Sequence, residues 1–152
     1  MPERSPFRHE AADASTGFLL WKVTVLWQRR LGLVLDRLGI TQTQYAILAS
    51  LRWFELHGEP TTQAHLVEHA RLDKMTLSKA IRKLEAVGLL ARAPSAADGR
   101  TSDVRLTARG RRLVQRAVAE VEAADEAFFS RLATADRVRF EAHMTSLVED
   151  EP

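Results

Sequence analysis

The stretch "DKMTLSKAIRKLE", residues 73–85, contains the pattern that decides the fold. Four apolar side chains recur at the spacing of one helix face, so we predict a helix that buries them. They are Leu77, Ala80, Ile81 and Leu84. The opposite face offers small hydroxyls and long cations and carries Met75, Thr76, Ser78, Lys79, Arg82 and Lys83. A helix with one buried side and one cationic side is typical of a surface that meets a polyanion.

Charge is distributed unevenly along the 152 residues, although the formal net charge is only +2. Residues 71–83 contain five cations and one acid, and residues 91–112 contain six arginines and two acids. Residues 117–152 contain nine acids and three arginines. A basic middle and an acidic end favour one surface that binds a polyanion, although ordinary solvated helix faces explain any single charge equally well. The chain has no cysteine, which excludes disulfides and thiolate metal sites.

Helical patterns occupy the first half of the chain. A long segment, about 15–38, is apolar around most of its circumference, so the fold or another chain must bury it. Thr41 and Gln44 form a capping-box pattern at the start of a second helix, which should end at Gly58. A short helix should follow Thr61 or Thr62, and Asp73 should cap the helix of the opening stretch.

The hydrophobic period changes after Gly88. "LLARAPS", residues 89–95, and "TSDVRLT", residues 101–107, have the pattern of short strands, with a turn signal at Asp98 and Gly99. Thr107 can cap a helix over about 108–132, and a last helix should start after Thr134. The predicted fold is mainly α with a small β-hairpin, which is the winged helix-turn-helix arrangement.

The sequence resembles the MarR family of bacterial transcriptional regulators at four places. The first is "FLLWKVTVLWQRRLGLVLDRLGITQTQYAILASL", and the second is "TTQAHLVEHARLDKMTLSKAIRKLEAVGLLAR", which resembles the family's helix-turn-helix. The third is "DGRTSDVRLT", which matches the wing pattern D-x-R-x-x-x-V-x-L-T, and the fourth is "TARGRRL". The resemblance covers the chain from about residue 15 to its end.

The resemblance implies a homodimer that reads a pseudo-palindrome in double-stranded DNA. Residues 15–40 and 108–152 would then form a helical dimerisation region, and residues 41–107 would form the winged helix-turn-helix domain. Residues 1–14 are expected to be disordered or loosely attached. A DNA-binding regulator of this kind is expected to be cytoplasmic, and the polar N-terminus has no secretory signal pattern.

The expected DNA-reading residues follow from the helix face and from the wing. Lys79 and Arg82 can donate to guanine acceptors or to phosphates. Met75 departs from the small polar residue common in the family at this place, which leaves the sequence preference open. In the wing, Arg100 is expected in the minor groove with Asp98 aiming it, and Arg92 and Arg105 are candidates for the adjacent phosphates. The alternative is that Asp98 and Arg100 only stabilise the turn.

Many MarR relatives release DNA when a small aromatic or phenolic anion binds between the dimer helices and the DNA-binding lobe. Trp21, Trp27, Trp53 and His57 are candidates for such an effector site, with core packing as the alternative for each. The resemblance implies a repressor that needs no cofactor.

A competing pattern lies in "HLVEH", residues 65–69, which fits the inverted zinc-protease motif H-x-x-E-H. His65 and His69 would ligate a metal and Glu68 would act as general base, in a hydrolase or in a metal-responsive regulator. So short a pattern is common by chance on polar helices. With no G-x-S-x-G, no phosphate loop and no cysteine, the sequence indicates a protein that is not an enzyme.

Overall fold

The computed structural model describes residues 5–95 and 102–149. Six α-helices and one antiparallel hairpin follow one another in the predicted order. Their bounds are α1 Thr16–Asp36, α2 Gln42–His57, α3 Gln63–Ala70, α4 Lys74–Ala86, β1 Leu90–Pro94, β2 Ser102–Leu106, α5 Ala108–Phe129 and α6 Thr134–Glu149. A short 3₁₀ helix, Ala12–Ala14, precedes α1, and Asp13 within it pairs with Lys22 at 2.7 Å. The mainly α fold with a β-hairpin is confirmed.

Side-chain caps place the helix starts where the sequence predicts them. The Thr41 hydroxyl accepts from the Gln44 backbone N–H, and the Gln44 side chain accepts from the Thr41 N–H, which completes the capping box. Thr62 caps α3, Asp73 caps α4 and Thr107 caps α5. These caps satisfy backbone donors that each helix leaves unpaired at its N-terminus.

The core lies where α2, α3 and α4 pack against α5 and the hairpin. All four apolar residues of the opening stretch are buried, which confirms the predicted stripe. Phe54 of α2 and Leu66 of α3 lie beneath them and are fully buried. Burial of each large aliphatic side chain contributes roughly 1.5–3 kcal/mol to the stability of the fold. These contacts hold α4 against the domain by its apolar face.

The hairpin extends from the same core. Leu90 lies opposite Leu106 and Arg92 opposite Val104, and the inward residues Val104 and Leu106 are buried as predicted. The N–H of Val104 also donates to the Thr61 carbonyl at 2.8 Å, which ties β2 to the segment before α3. The predicted turn at Asp98 and Gly99 lies outside the described residues.

The turn at residues 87–89 joins α4, the hairpin and α5, and we call it the junction. The Thr107 hydroxyl donates to the Gly88 carbonyl at 2.7 Å, and its N–H donates to the Leu89 carbonyl at 3.1 Å. Arg109 donates to the Val87 carbonyl at 2.8 Å. Because these carbonyls follow α4 and precede β1, the start of α5 sets the position of both elements.

The helices outside this core leave much apolar surface exposed. In α1 only Leu31, Val34 and Leu35 are buried. The exposed large apolar residues of α1 and α6 are Phe18, Leu19, Leu20, Trp21, Val23, Leu26, Leu33, Val138, Met144, Leu147 and Val148. None of the helices in the described ranges has the length and apolar character needed to span a bilayer.

We predict that Gly110→Ala destabilises the fold. A Cβ at this position would lie 2.1 Å from the Leu89 carbonyl oxygen, so the junction would have to move. The expected loss is about 1–3 kcal/mol, the usual cost of overpacking, measured by urea unfolding. Gly17→Ala is the matched control, because nothing lies within 4 Å of its Cβ position. Equal stability of the two variants would contradict the tight approach.

Candidate nucleic-acid interface

The outer face of α4 is the candidate DNA-reading surface. Met75, Thr76, Lys79, Arg82 and Lys83 are exposed, and Ser78 is half-buried beside the apolar stripe. The Asp73 carboxylate accepts from the Thr76 N–H at 2.8 Å and so fixes the first turn of the helix. The hydrogen bonds from Thr76 hold the pKa of Asp73 below its usual range, so the cap is charged at neutral pH.

Among the described residues, the cations of this face have no acidic partner. Within residues 5–95 and 102–149, no carboxylate pairs with Lys79, Arg82 or Lys83. By contrast, Glu55 binds Arg111 through two hydrogen bonds of 3.0 Å on another side of the domain. The unpaired positive charge therefore accumulates along α4, where it can attract phosphate.

Two arginines of the hairpin have partners within the domain. Glu85 near the end of α4 accepts twice from Arg92 Nε, at 3.0 and 3.1 Å, and so braces β1 against the helix. Arg105 donates to Asp103 two residues earlier at 3.4 Å. Both guanidinium groups remain partly exposed. Arg100, which we predict to enter the minor groove, and Asp98, which we predict to aim it, lie outside the described residues.

The turn between α3 and α4 contains a contact that the sequence pattern does not reveal. Arg71 has φ 51°, and it is the one non-glycine with positive φ in the part of the chain that the structure describes. Its guanidinium donates to the Val148 carbonyl near the end of α6 at 3.3 Å. Arg109 likewise bonds to a backbone carbonyl, that of Val87 at the junction, and a backbone partner carries no sequence signal.

The four effector candidates occupy three different environments. Trp53 stacks on His57 with ring centroids 3.8 Å apart, and it lines a shallow cleft of about 330 Å³ with residues of α2 and α3. Trp27 donates its indole N–H to Asp125 of α5 at 2.7 Å. Trp21 is 67% exposed on the outside of α1. The prediction of an effector site formed by these residues stays a prediction.

The phenol of Tyr45 lies in the same region as Trp27 and has a perturbed pKa. Burial, together with the negative charges of Asp125 and Glu122, raises the pKa of Tyr45 to about 12. The phenol therefore stays protonated throughout the physiological range and is available as a hydrogen-bond donor beside Asp125. Sequence spacing could not reveal this group, because its members come from α1, α2 and α5.

The residues of the "HLVEH" pattern have structural neighbours. His65 shares a 2.9 Å hydrogen bond with Glu59, and the rings of His65 and His69 both contact Phe54. The hydrogen bond from His65 is the main cause that lowers the pKa of Glu59. The described ranges contain no group of three side chains arranged to hold a metal ion, and Glu68 is exposed.

Together, a helix-turn-helix, an adjoining hairpin and an unpaired cationic face define a winged-helix DNA-binding protein. Comparison with known proteins agrees, since an ArnR1-like, winged-helix domain matches residues 36–122. The repressor Rv2887 of Mycobacterium tuberculosis is 33% identical over 140 residues, which cover 92% of this chain and 98% of that protein. The regulator YdcH of Bacillus subtilis is 36% identical over 118 residues, 78% of this chain and 80% of the relative.

Solved structures show the same fold. The M. tuberculosis MarR-family protein Rv2887, in complex with p-aminosalicylic acid, is 30% identical with a TM-score of 0.67, covering 88% of this chain and 98% of its own. CouR from Rhodococcus jostii RHA1, bound to p-coumaroyl-CoA, superposes with a TM-score of 0.84 at 23% identity, covering 95% and 99% of the two chains. This chain belongs to the MarR family of winged helix-turn-helix transcriptional regulators.

The family assignment bears on the competing hydrolase interpretation of His65, Glu68 and His69. The relatives and the fold are those of transcriptional regulators and not of enzymes. The expectation that the protein is not an enzyme is therefore confirmed, and the hydrolase hypothesis is wrong. A metal-responsive role of these histidines remains a separate hypothesis.

Proposed function

We propose that the protein is a homodimeric transcriptional repressor that binds a pseudo-palindromic site in double-stranded DNA. The observation that carries this proposal is the outer face of α4, where Lys79, Arg82 and Lys83 are exposed and pair with no carboxylate of the described residues. Repression is supported by the 33% identical relative that is named a repressor. Its chromosomal target would place the protein in the cytoplasm.

In this proposal α4 enters the major groove. Thr76 and Ser78 are short enough to reach a phosphate or a base edge without holding the helix away, while Lys79 and Arg82 reach guanine acceptors. The hairpin would lie along the backbone, with Arg92 and Arg105 near phosphates. Arg100 would enter the minor groove with Asp98 aiming it, as the wing pattern implies.

The dimer would form through α1 and α6. Eleven large apolar residues of these two helices are exposed, and a concentration of exposed apolar side chains marks an interaction site. A second copy would cover this surface and pair two reading helices about a two-fold axis. Two half-sites one helical turn apart would then explain palindromic recognition.

A small aromatic acid is the proposed effector. One relative's structure is a complex with p-aminosalicylic acid, and a more distant structural neighbour is bound to p-coumaroyl-CoA. In this chain, Trp27 and Tyr45 both lie near Asp125 between α1, α2 and α5, and Trp53, which stacks on His57, lines the cleft on α2. Binding there would alter the spacing of the two reading helices.

We predict that Arg82→Ala weakens binding to DNA from upstream of the protein's own gene by about 5–150-fold, the cost of one lost bidentate base contact. Fluorescence anisotropy titrated with salt measures this change. The logarithm of affinity should fall by about 0.9 per phosphate contact for each log unit of salt.

Arg139→Ala is the control for the DNA experiment, because Arg139 is an exposed arginine of α6 whose ion-pair partner is Asp136 on the same helix. It should leave affinity within about twofold of the parent. Equal affinities of the parent and Arg82→Ala would contradict the proposed role of α4.

We predict that the protein is a dimer at micromolar concentration and that Leu20→Glu and Leu147→Glu each weaken dimerisation at least about tenfold, since each would bury an unpaired charge. Analytical ultracentrifugation gives the dissociation constants. Leu56→Glu on α2 is the control, with a parent residue 62% exposed against 70% for Leu147. A monomeric parent, or variants that all dimerise normally, would refute this interface.

We predict that p-aminosalicylate lowers the affinity for DNA by about 5–150-fold, the usual range of allosteric coupling. Competition anisotropy measures the release, and tryptophan fluorescence with Trp27→Phe and Trp53→Phe variants locates the binding region. Benzylamine, a cationic aromatic, is the control ligand. If a series of aromatic acids leaves DNA binding unchanged, the effector proposal fails.

A further inference from the structure

Met75 is an apolar side chain in the middle of the proposed reading surface. It is the second residue of α4 and is 83% exposed, more than any other large hydrophobic residue in the described ranges. Most of the other strongly exposed apolar residues lie on α1 and α6, where a second copy is proposed to cover them. Met75 lies on neither helix, so its exposure needs another explanation.

The residues around Met75 indicate what kind of partner this side chain contacts. Residues three, four and seven positions later on a helix share its face, and here they are Ser78, Lys79 and Arg82. The one acid of α4, Glu85, lies three residues after Arg82 and is bonded to Arg92, and no described carboxylate pairs with Lys79 or Arg82. An apolar protein surface placed on Met75 would have to desolvate these cations. A polyanion that itself carries an apolar group suits both features.

The major groove of DNA supplies such a group. Among base edges in that groove, the C5-methyl of thymine is the apolar feature, and the phosphates on either side are anionic. Residues at the N-terminal end of a recognition helix are the ones that contact base edges, and Met75 lies in the first turn. The long, polarisable thioether can adjust to the methyl group without strain.

We propose that Met75 determines specificity by contacting the C5-methyl of a thymine at one symmetry-related position in each half-site. This inference rests on the proposed function, because it assigns a base to the same reading surface. Burying one methyl group corresponds to about fourfold in affinity, and to about sixteenfold when both half-sites are changed.

The test uses the full-length protein and a duplex that it selects from a random pool. Each thymine is replaced in turn by deoxyuridine, which removes the methyl group and keeps base pairing. We expect one position per half-site where the replacement weakens binding about fourfold. Met75→Ala should bind the unmodified duplex as weakly as the parent protein binds the duplex in which both thymines are replaced. Replacing both thymines should not weaken the binding of Met75→Ala any further.

Two further variants separate this contact from other effects. Met75→Leu should keep part of the deoxyuridine penalty, since it retains an apolar side chain. Lys74→Ala, which changes the residue next to Met75, should weaken binding to all duplexes equally and keep the full deoxyuridine penalty. Both positions are exposed, and alanine favours the helix, so circular dichroism should show unchanged folding.

The outcomes distinguish this inference from the proposed function. If no duplex is enriched, sequence-specific binding itself fails. If a duplex is enriched but no deoxyuridine position weakens binding, or if the penalty stays fourfold in Met75→Ala, DNA recognition stands and the role of Met75 is overturned.

Discussion

The hydrogen bonds at the junction are the constraint on which the functional surface depends. Three consecutive carbonyls, those of Val87, Gly88 and Leu89, accept from Thr107 and Arg109 at the start of α5. Gly110 allows the close approach, because any Cβ would collide with the Leu89 oxygen. Helix α4, the hairpin and α5 are thereby joined within a few residues. A shift of α5 must therefore move α4 and the hairpin together.

In the proposed function, this arrangement gives a physical route from a bound effector to the DNA. The Trp27–Asp125 hydrogen bond and the perturbed Tyr45 connect α1, α2 and the distal part of α5. The junction lies at the opposite end of the same helix. A ligand that changed the packing of the distal part would tilt α5 as a rigid element, and the two reading helices of a dimer would change their separation. Coupling between ligand binding and DNA binding requires that a contact differ between the two conformational states of the protein.

Ion pairs within the domain neutralise some cations and leave others without an acidic partner in the described ranges. Arg111 is neutralised by Glu55, and Arg92 is braced by Glu85. Along the outer row of α4, Lys79 and Arg82 are left without carboxylates in the described ranges. The whole-chain charge of +2 conceals this difference. Attraction of DNA depends on local potential, and local potential depends on which cations remain unpaired.

The sequence by itself determined the order of the elements, the caps at Thr41, Asp73 and Thr107, and the buried stripe of α4. These features are local: a cap acts over three residues, and a helix face repeats within seven. The cationic outer face follows from the same periodicity, because the side chains opposite a buried stripe must face solvent. Recognition of the family rested on such local patterns as well.

The tertiary structure alone decided which charges are paired and how the elements are held together. Arg109 bonds to a carbonyl 22 residues earlier, Trp27 meets Asp125 at a separation of 98 residues, and Arg71 reaches Val148. No periodicity links such positions, because they become neighbours only when separate elements pack together. The sequence therefore specified the cationic outer face of α4, and long-range packing specified how that face is positioned.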